Sequence, residues 1–234
     1  MIVQGEITGY DVDTGVMEIR ARYDNVMDMA RKQYRACEIR LNDGRTISTD
    51  QRRKARAIVA DICNWAGYDV RHEADNVHAI LKAYFCADWN YDDFSLSNTD
   101  MTTAREYINY LVDFCLRNDV PCLDRLLNRT DDVDAYLYAC LYHRKCAVCG
   151  RRADVHHVDA VGMGGDRRRI VHEGRRCVAL CREHHRQAHS DADFMNAQHI
   201  YGIRLDRILC QKLGLRDGEE LAAETELMEE KHAE

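Results

Sequence analysis

At 234 residues the chain is long enough to bury a real core, as one large domain or two small ones. Apolar residues make up 46% of it, an ordinary share for a globular protein, and no apolar run reaches membrane-spanning length, which excludes an integral helical membrane protein. The net charge of −7 excludes indiscriminate attraction to polyanions, so any nucleic-acid contact must come from local basic segments.

The first residues, "MIVQGEITGYDVD", lack the basic start and greasy segment of a signal peptide, so an intracellular setting is expected. "VQGEITGYDV" and "VMEIRARY" flank the turn signal Asp13-Thr14-Gly15 and predict a β-hairpin. "VMDMARKQYRA" predicts a short helix, and "CEIRLNDGRTIS" a second hairpin turning at Asn42-Asp43-Gly44. The apolar period then becomes helical. Ser48-Thr49-Asp50 predicts the cap of a helix that carries Ile58, Val59, Ile62 and Trp65 on one face and stops at Gly67. Further helices are expected at 75–87 and 104–118. The second opens on Thr103-x-x-Glu106, read as a capping box, and presents Tyr107, Ile108, Leu111, Val112 and Cys115 to the core. Residues 124–142 read as helical with a break near Thr130, and composition changes near Arg144. The stretch "FMNAQHIYGIRLDRILCQKLGL" predicts helix packed on the preceding module through Phe194, Ile200, Ile203, Leu205, Ile208 and Leu209. These elements predict an α+β fold: N-terminal hairpins, a helical region, a small metal-stabilised module and C-terminal helices.

In a reducing compartment the eleven cysteines are not expected to form disulfides. Cys37, Cys63, Cys86, Cys115, Cys122, Cys140 and Cys210 stand singly and read as small buried hydrophobes. The remainder fall in "KCAVCGRRADVHHVDAVGMGGDRRRIVHEGRRCVALCREHHRQAH". Cys146-x-x-Cys149-Gly150 is the tight turn of a zinc knuckle, and Cys181-x-x-His184 supplies two more ligands at matching spacing, a Cys3His set for structural Zn2+. Cys177 is a further thiol within reach, at poorer spacing. His185 and His189 lie four apart and share a helix face, about a quarter turn from Cys181 and His184. One helix is therefore expected to serve two metals. Arg167, Arg168, Arg169, Arg175 and Arg176 form a basic run suited to backbone phosphates, and residues 144–186 hold eleven basic against five acidic residues.

The knuckle, "VHHV" with "GMGGD", and "LCREHHRQAH" together resemble the HNH (ββα-metal) endonucleases. The resemblance implies that His157 activates water and that His156, His185 and His189 hold a catalytic divalent metal, as in the colicin-type DNases. Imidazole-rich ligation suits Zn2+, Ni2+ or Mn2+ better than Ca2+, with hydrated Mg2+ also compatible. The chain departs from the family at one point: Arg176 stands where an asparagine usually braces the catalytic loop. Upstream, "GRTISTDQRRKARAIVADICNWAGY", "LKAYFC" and "FSLSNTDMTTAREYINYLVDFCLRNDVP" resemble the phage lambda Orf (NinB) recombination proteins, dimers that bind single-stranded DNA. Arg52, Arg53 and Lys54 belong to a basic patch there. The two resemblances imply residues 1–143 as a DNA-binding and dimerising region, 144–192 as the nuclease module and 193–234 as a helical extension with an acidic tail. They also imply a phage- or prophage-encoded homodimer in the bacterial cytoplasm, cutting single-stranded or branched DNA during recombination or repair. A second reading is a non-catalytic single-stranded-DNA-binding mediator with a structural zinc module.

Overall fold

A computed structural model of the chain describes residues 5–23, 44–158 and 170–219, together with Met27, Arg31, Lys32 and Ile39. It divides into two compact units, 1–41 and 42–234. The expected short helix and most of the second hairpin lie outside the described residues.

In the first unit, β1 (Gly5–Asp11) and β2 (Val16–Ala21) pair antiparallel, as the sequence predicts. The turn closes because Asp11 Oδ1 accepts from the amides of Asp13 and Thr14, and Gly15 takes a left-handed φ of 68°.

The second unit begins with three long helices. Ser48 caps α1 (Thr49–Trp65) in a reciprocal capping box with Gln51, whose side chain also donates to the carbonyl of Met101 at 3.1 Å. Ile58, Val59 and Ile62 are buried as expected. Trp65 is not: it is 44% exposed and meets Phe114 edge-on. Asp69 caps α2 (Val70–Asp88), which starts five residues before the expected position. In α3 (Met101–Asn118) the cap is Asp100, accepting from the amide of Thr103 at 2.9 Å. Thr103 therefore lies inside the first turn, and the capping box expected there moves to α1. The whole predicted core face of α3 is buried. The chain breaks at Thr130 between α4 (Leu126–Arg129) and α5 (Val133–Tyr142).

The small sheet has the order β3 (Asp154–His157), β4 (Arg176–Leu180), β5 (Ile203–Arg204), all antiparallel. Helix α6 (Arg182–Ser190) follows β4 directly, giving the two strands and helix of a ββα-metal-like module. It shares one hydrophobic core with α1–α5. Tyr136 of α5 donates to the carbonyl of Ala147 in the knuckle at 2.9 Å, and the Ala147 amide donates to Ala179 of β4.

The C-terminal stretch is less helical than predicted. Between α7 (Phe194–Ala197) and α8 (Arg207–Leu213) the chain turns through His199, at a φ of 55°, and enters β5. A Cβ on Gly202 would fall 2.6 Å from Val158 Cγ2, so only glycine lets this segment approach the end of β3. Ile208 is 61% exposed rather than core. No helix among the described residues is long and apolar enough to cross a membrane.

Candidate metal centre

Two clusters of metal-ligating side chains lie on neighbouring faces of α6. Cys181 is its N-cap residue, and His184, His185 and His189 project from its turns. Cys146 and Cys149 come from the knuckle, where Gly150 has a left-handed φ of 71° and its amide donates to the Cys146 carbonyl at 2.8 Å.

The first cluster joins Cys146, Cys149, Cys181 and His184, with all ligand atoms within 4.8 Å of one another. The Sγ atoms of Cys149 and Cys181 are 3.8 Å apart, and His184 Nδ1 lies 3.3 Å from the sulfurs of both Cys146 and Cys181. A tetrahedron with arms of about 2.3 Å has edges of about 3.8 Å, so the donor set fits zinc in both chemistry and spacing. Burial raises the Cys146 thiol to about 11, which leaves a bound cation to stabilise its thiolate. Arg151, not singled out from sequence, donates to Cys149 Sγ at 3.3 Å and Cys181 Sγ at 3.7 Å, and pairs with Glu183 at 2.6 Å. Cys177 sits on β4 opposite His157 and Ile203, outside this cluster.

The second cluster is His156, His185 and His189. His156 is 5% exposed, and its ring centroid is 4.7 Å from that of His185 and 4.8 Å from that of His189. Its Nδ1 is buried with no hydrogen-bond partner. An orphaned buried nitrogen on a ring packed against two more imidazoles is what a metal ion would satisfy. Burial, followed by the two neighbouring rings, lowers His156 to about 4, so its lone pair is available near neutral pH.

Strand alternation separates His156 from His157. His156 is directed to α6, whereas His157 Nε2 lies 2.8 Å from Nδ1 of His172, with the rings tilted at 48°. Burial, then the charges of His172, Arg175 and His185, holds His157 below the usual imidazole range. His172 carries no spacing signature and escapes a reading of the sequence; its ring reaches the site only through the turn before β4.

The basic residues divide. Arg175 stands beside the His157–His172 pair, with Nε donating to the Val171 carbonyl at 2.9 Å. Arg176 opens β4 opposite Arg204 and lines a groove with Trp89, Tyr138 and Tyr201. Arg167, Arg168 and Arg169 lie outside the described residues. On α1, Arg53 pairs with Asp50 at 2.8 Å, and Lys54 is held by Asp50, by Asp131 and by the Thr130 carbonyl. Arg52 instead lines a cavity of about 320 Å³ with Arg56, His78, Lys82, Phe94 and Ser95.

Neither the curated proteins nor the solved structures compared with the chain include a match. Residues 19–215 match the family model described as "Putative HNHc nuclease". That span takes in the helical region, the knuckle, the three-histidine cluster and the strand and helix after it, and the chain belongs to this HNH nuclease family.

Proposed function

We propose that the protein is a metal-dependent endonuclease that hydrolyses DNA phosphodiester bonds. The observation that carries the reading is the division of labour between adjacent histidines: His156 joins His185 and His189, and His157 turns to a separate partner. His156, His185 and His189 would hold the divalent ion, Mg2+, Mn2+, Ni2+ or Zn2+, while Cys146, Cys149, Cys181 and His184 would hold structural Zn2+. When bound, the divalent ion supplies Lewis acidity that offsets charge growing on the phosphate and the leaving oxygen.

His157 is the general base in this reading. With Nε2 engaged by His172, Nδ1 is the nitrogen left to take a proton from water. The water oxygen attacks phosphorus, its proton passes to Nδ1, and the bond from phosphorus to the leaving sugar oxygen breaks. Arg175, with Arg167, Arg168, Arg169 and Arg176, would hold flanking phosphates without reading sequence. We place residues 1–143 as the DNA-delivery and dimerising part, 144–192 as the nuclease module, and 193–234 as its extension. The first part acts through the basic residues of α1, Arg52 foremost because Arg53 and Lys54 are engaged by Asp50 and Asp131. The likeness to Orf proteins supports single-stranded or branched DNA as substrate, within phage or prophage recombination in a bacterial cytoplasm.

Plasmid nicking with each metal in turn tests the reading. Wild type is expected to nick, and His157→Ala is expected to lose nicking while keeping its fold and its DNA affinity. Full residual cleavage by His157→Ala removes that residue from the mechanism. The second reading, a DNA-binding mediator without catalysis, is favoured by Arg176 at the usual asparagine position. Binding by wild type without cleavage under any metal would select it.

A further inference from the structure

The departure at Arg176 leaves the base without its usual brace, and the turn before β4 supplies another. We propose that His172 is the positioning residue of this site: its Nδ1 accepts the Nε2 proton of His157 and so holds His157 in the tautomer that can act as a base. The catalytic consequence rests on the nuclease reading; the hydrogen bond does not.

Two nitrogens 2.8 Å apart share one proton. If His172 donated, neutral His157 would carry its only proton on Nδ1 and would have no lone pair left for water. If His157 donates through Nε2, Nδ1 keeps its lone pair, and the imidazolium formed on proton uptake still has an acceptor. The direction of this one bond therefore decides whether His157 is competent.

The turn carrying His172 is built to hold it in place. The His172 amide donates to the Arg216 carbonyl at 2.9 Å, and the Arg175 amide donates back to the His172 carbonyl at 3.1 Å. Gly174, at a φ of 77°, closes the turn and donates to the Leu205 carbonyl at 2.7 Å, while the Leu205 amide donates to Arg175 at 2.9 Å. Glu173 accepts from the Gly218 amide at 3.0 Å. Backbone from 205–218 thus clamps the turn, which gives the C-terminal stretch a role in the site that its sequence does not announce.

The test uses the full chain and two variants. Asparagine can place Oδ1 close to the position of His172 Nδ1, so it keeps an acceptor; alanine does not. His172→Ala is expected to lower kcat for nicking by about 10- to 100-fold with little change in KM, and His172→Asn to recover most of the loss. A metal-independent readout accompanies it. Nitrogen-15 NMR of His157 should report the Nε2–H tautomer in wild type and in His172→Asn, and a mixture in His172→Ala. Unchanged kcat in His172→Ala, or an Nδ1–H tautomer of His157 in wild type, overturns the proposal. A wild type that fails to nick defeats the nuclease reading instead, and the NMR result then decides the hydrogen bond by itself. Should His172→Ala not fold, the wild-type tautomer and the asparagine variant still decide it.

Discussion

At the scale of single residues, Cys146 offers the sharpest test of the first cluster. It is fully buried, and its sulfur lies 3.3 Å from His184 Nδ1 in a four-donor arrangement. Small sites of this kind derive much of their folding free energy from the ion. Cys146→Ser is expected to lose its zinc, measured by elemental mass spectrometry, and to lose hydrogen-exchange protection over β3, β4 and α6 while α1–α3 stay protected. Unchanged zinc content would sink the assignment. The Cys3His donors are legible in the sequence because coordination demands particular atoms at particular spacings, Cys146-x-x-Cys149 on a turn and Cys181-x-x-His184 at a helix start. Spacing also puts His185 and His189 on one face, but that His156 joins them follows from the resemblance to HNH nucleases. His172 and Arg151 are not legible. The His172 ring acts through one long-range hydrogen bond to His157, and Arg151 through contacts to Cys149, Cys181 and Glu183 that only the folded knuckle brings together, so neither leaves a spacing pattern.

At the scale of elements, α1 and α4 are joined by an ion pair between Asp61 and Arg129, whose side chains are 2% and 11% exposed. Asp61 also accepts from the Leu123 amide at 3.3 Å, so one carboxylate fastens the loop before α4 as well. Removing one member of such a pair leaves a buried charge without its partner. Asp61→Leu is expected to cost about 3–5 kcal/mol in urea unfolding, and Asp61→Leu with Arg129→Leu considerably less. By contrast Asp50→Ala, which breaks the exposed Arg53 pair as well as a Lys54 contact, should cost far less than Asp61→Leu, because solvent screens an exposed carboxylate. Equal losses in the single and double leucine variants would contradict this account. The long helices were readable because caps and a 3.6-residue period leave traces over many positions. The two-residue β5 leaves none: its place is set by pairing with β4 and by the close approach at Gly202, both tertiary facts.

At the scale of the whole molecule, net charge is a poor guide to where a polyanion would dock. The sequence carries 33 basic and 40 acidic residues, and its basic patch on α1 reads as one cluster. Folding sorts that cluster. Lys54 is taken up by Asp50 and Asp131, while Arg52 and Arg56 share a cavity with Lys82, which comes from α2. Asp75 and Asp93 pair with Arg56 and Lys82, but their side chains are 88% and 84% exposed. The aspartates face solvent, where their attraction is screened, so in the proposed role a phosphate would compete with them for these cations. In the proposed DNA-binding role, each phosphate contact contributes about 0.7 to the slope of log affinity against log salt on single strands. Replacing Arg52, Arg56 and Lys82 together with alanine is therefore expected to flatten that slope by up to about 2 and to weaken binding at low salt. The nicking rate at saturating DNA should stay near wild type, because none of the three belongs to the metal centre. Fluorescence anisotropy over a salt series measures the slope directly, and an unchanged slope would move the docking surface away from α1 and α2.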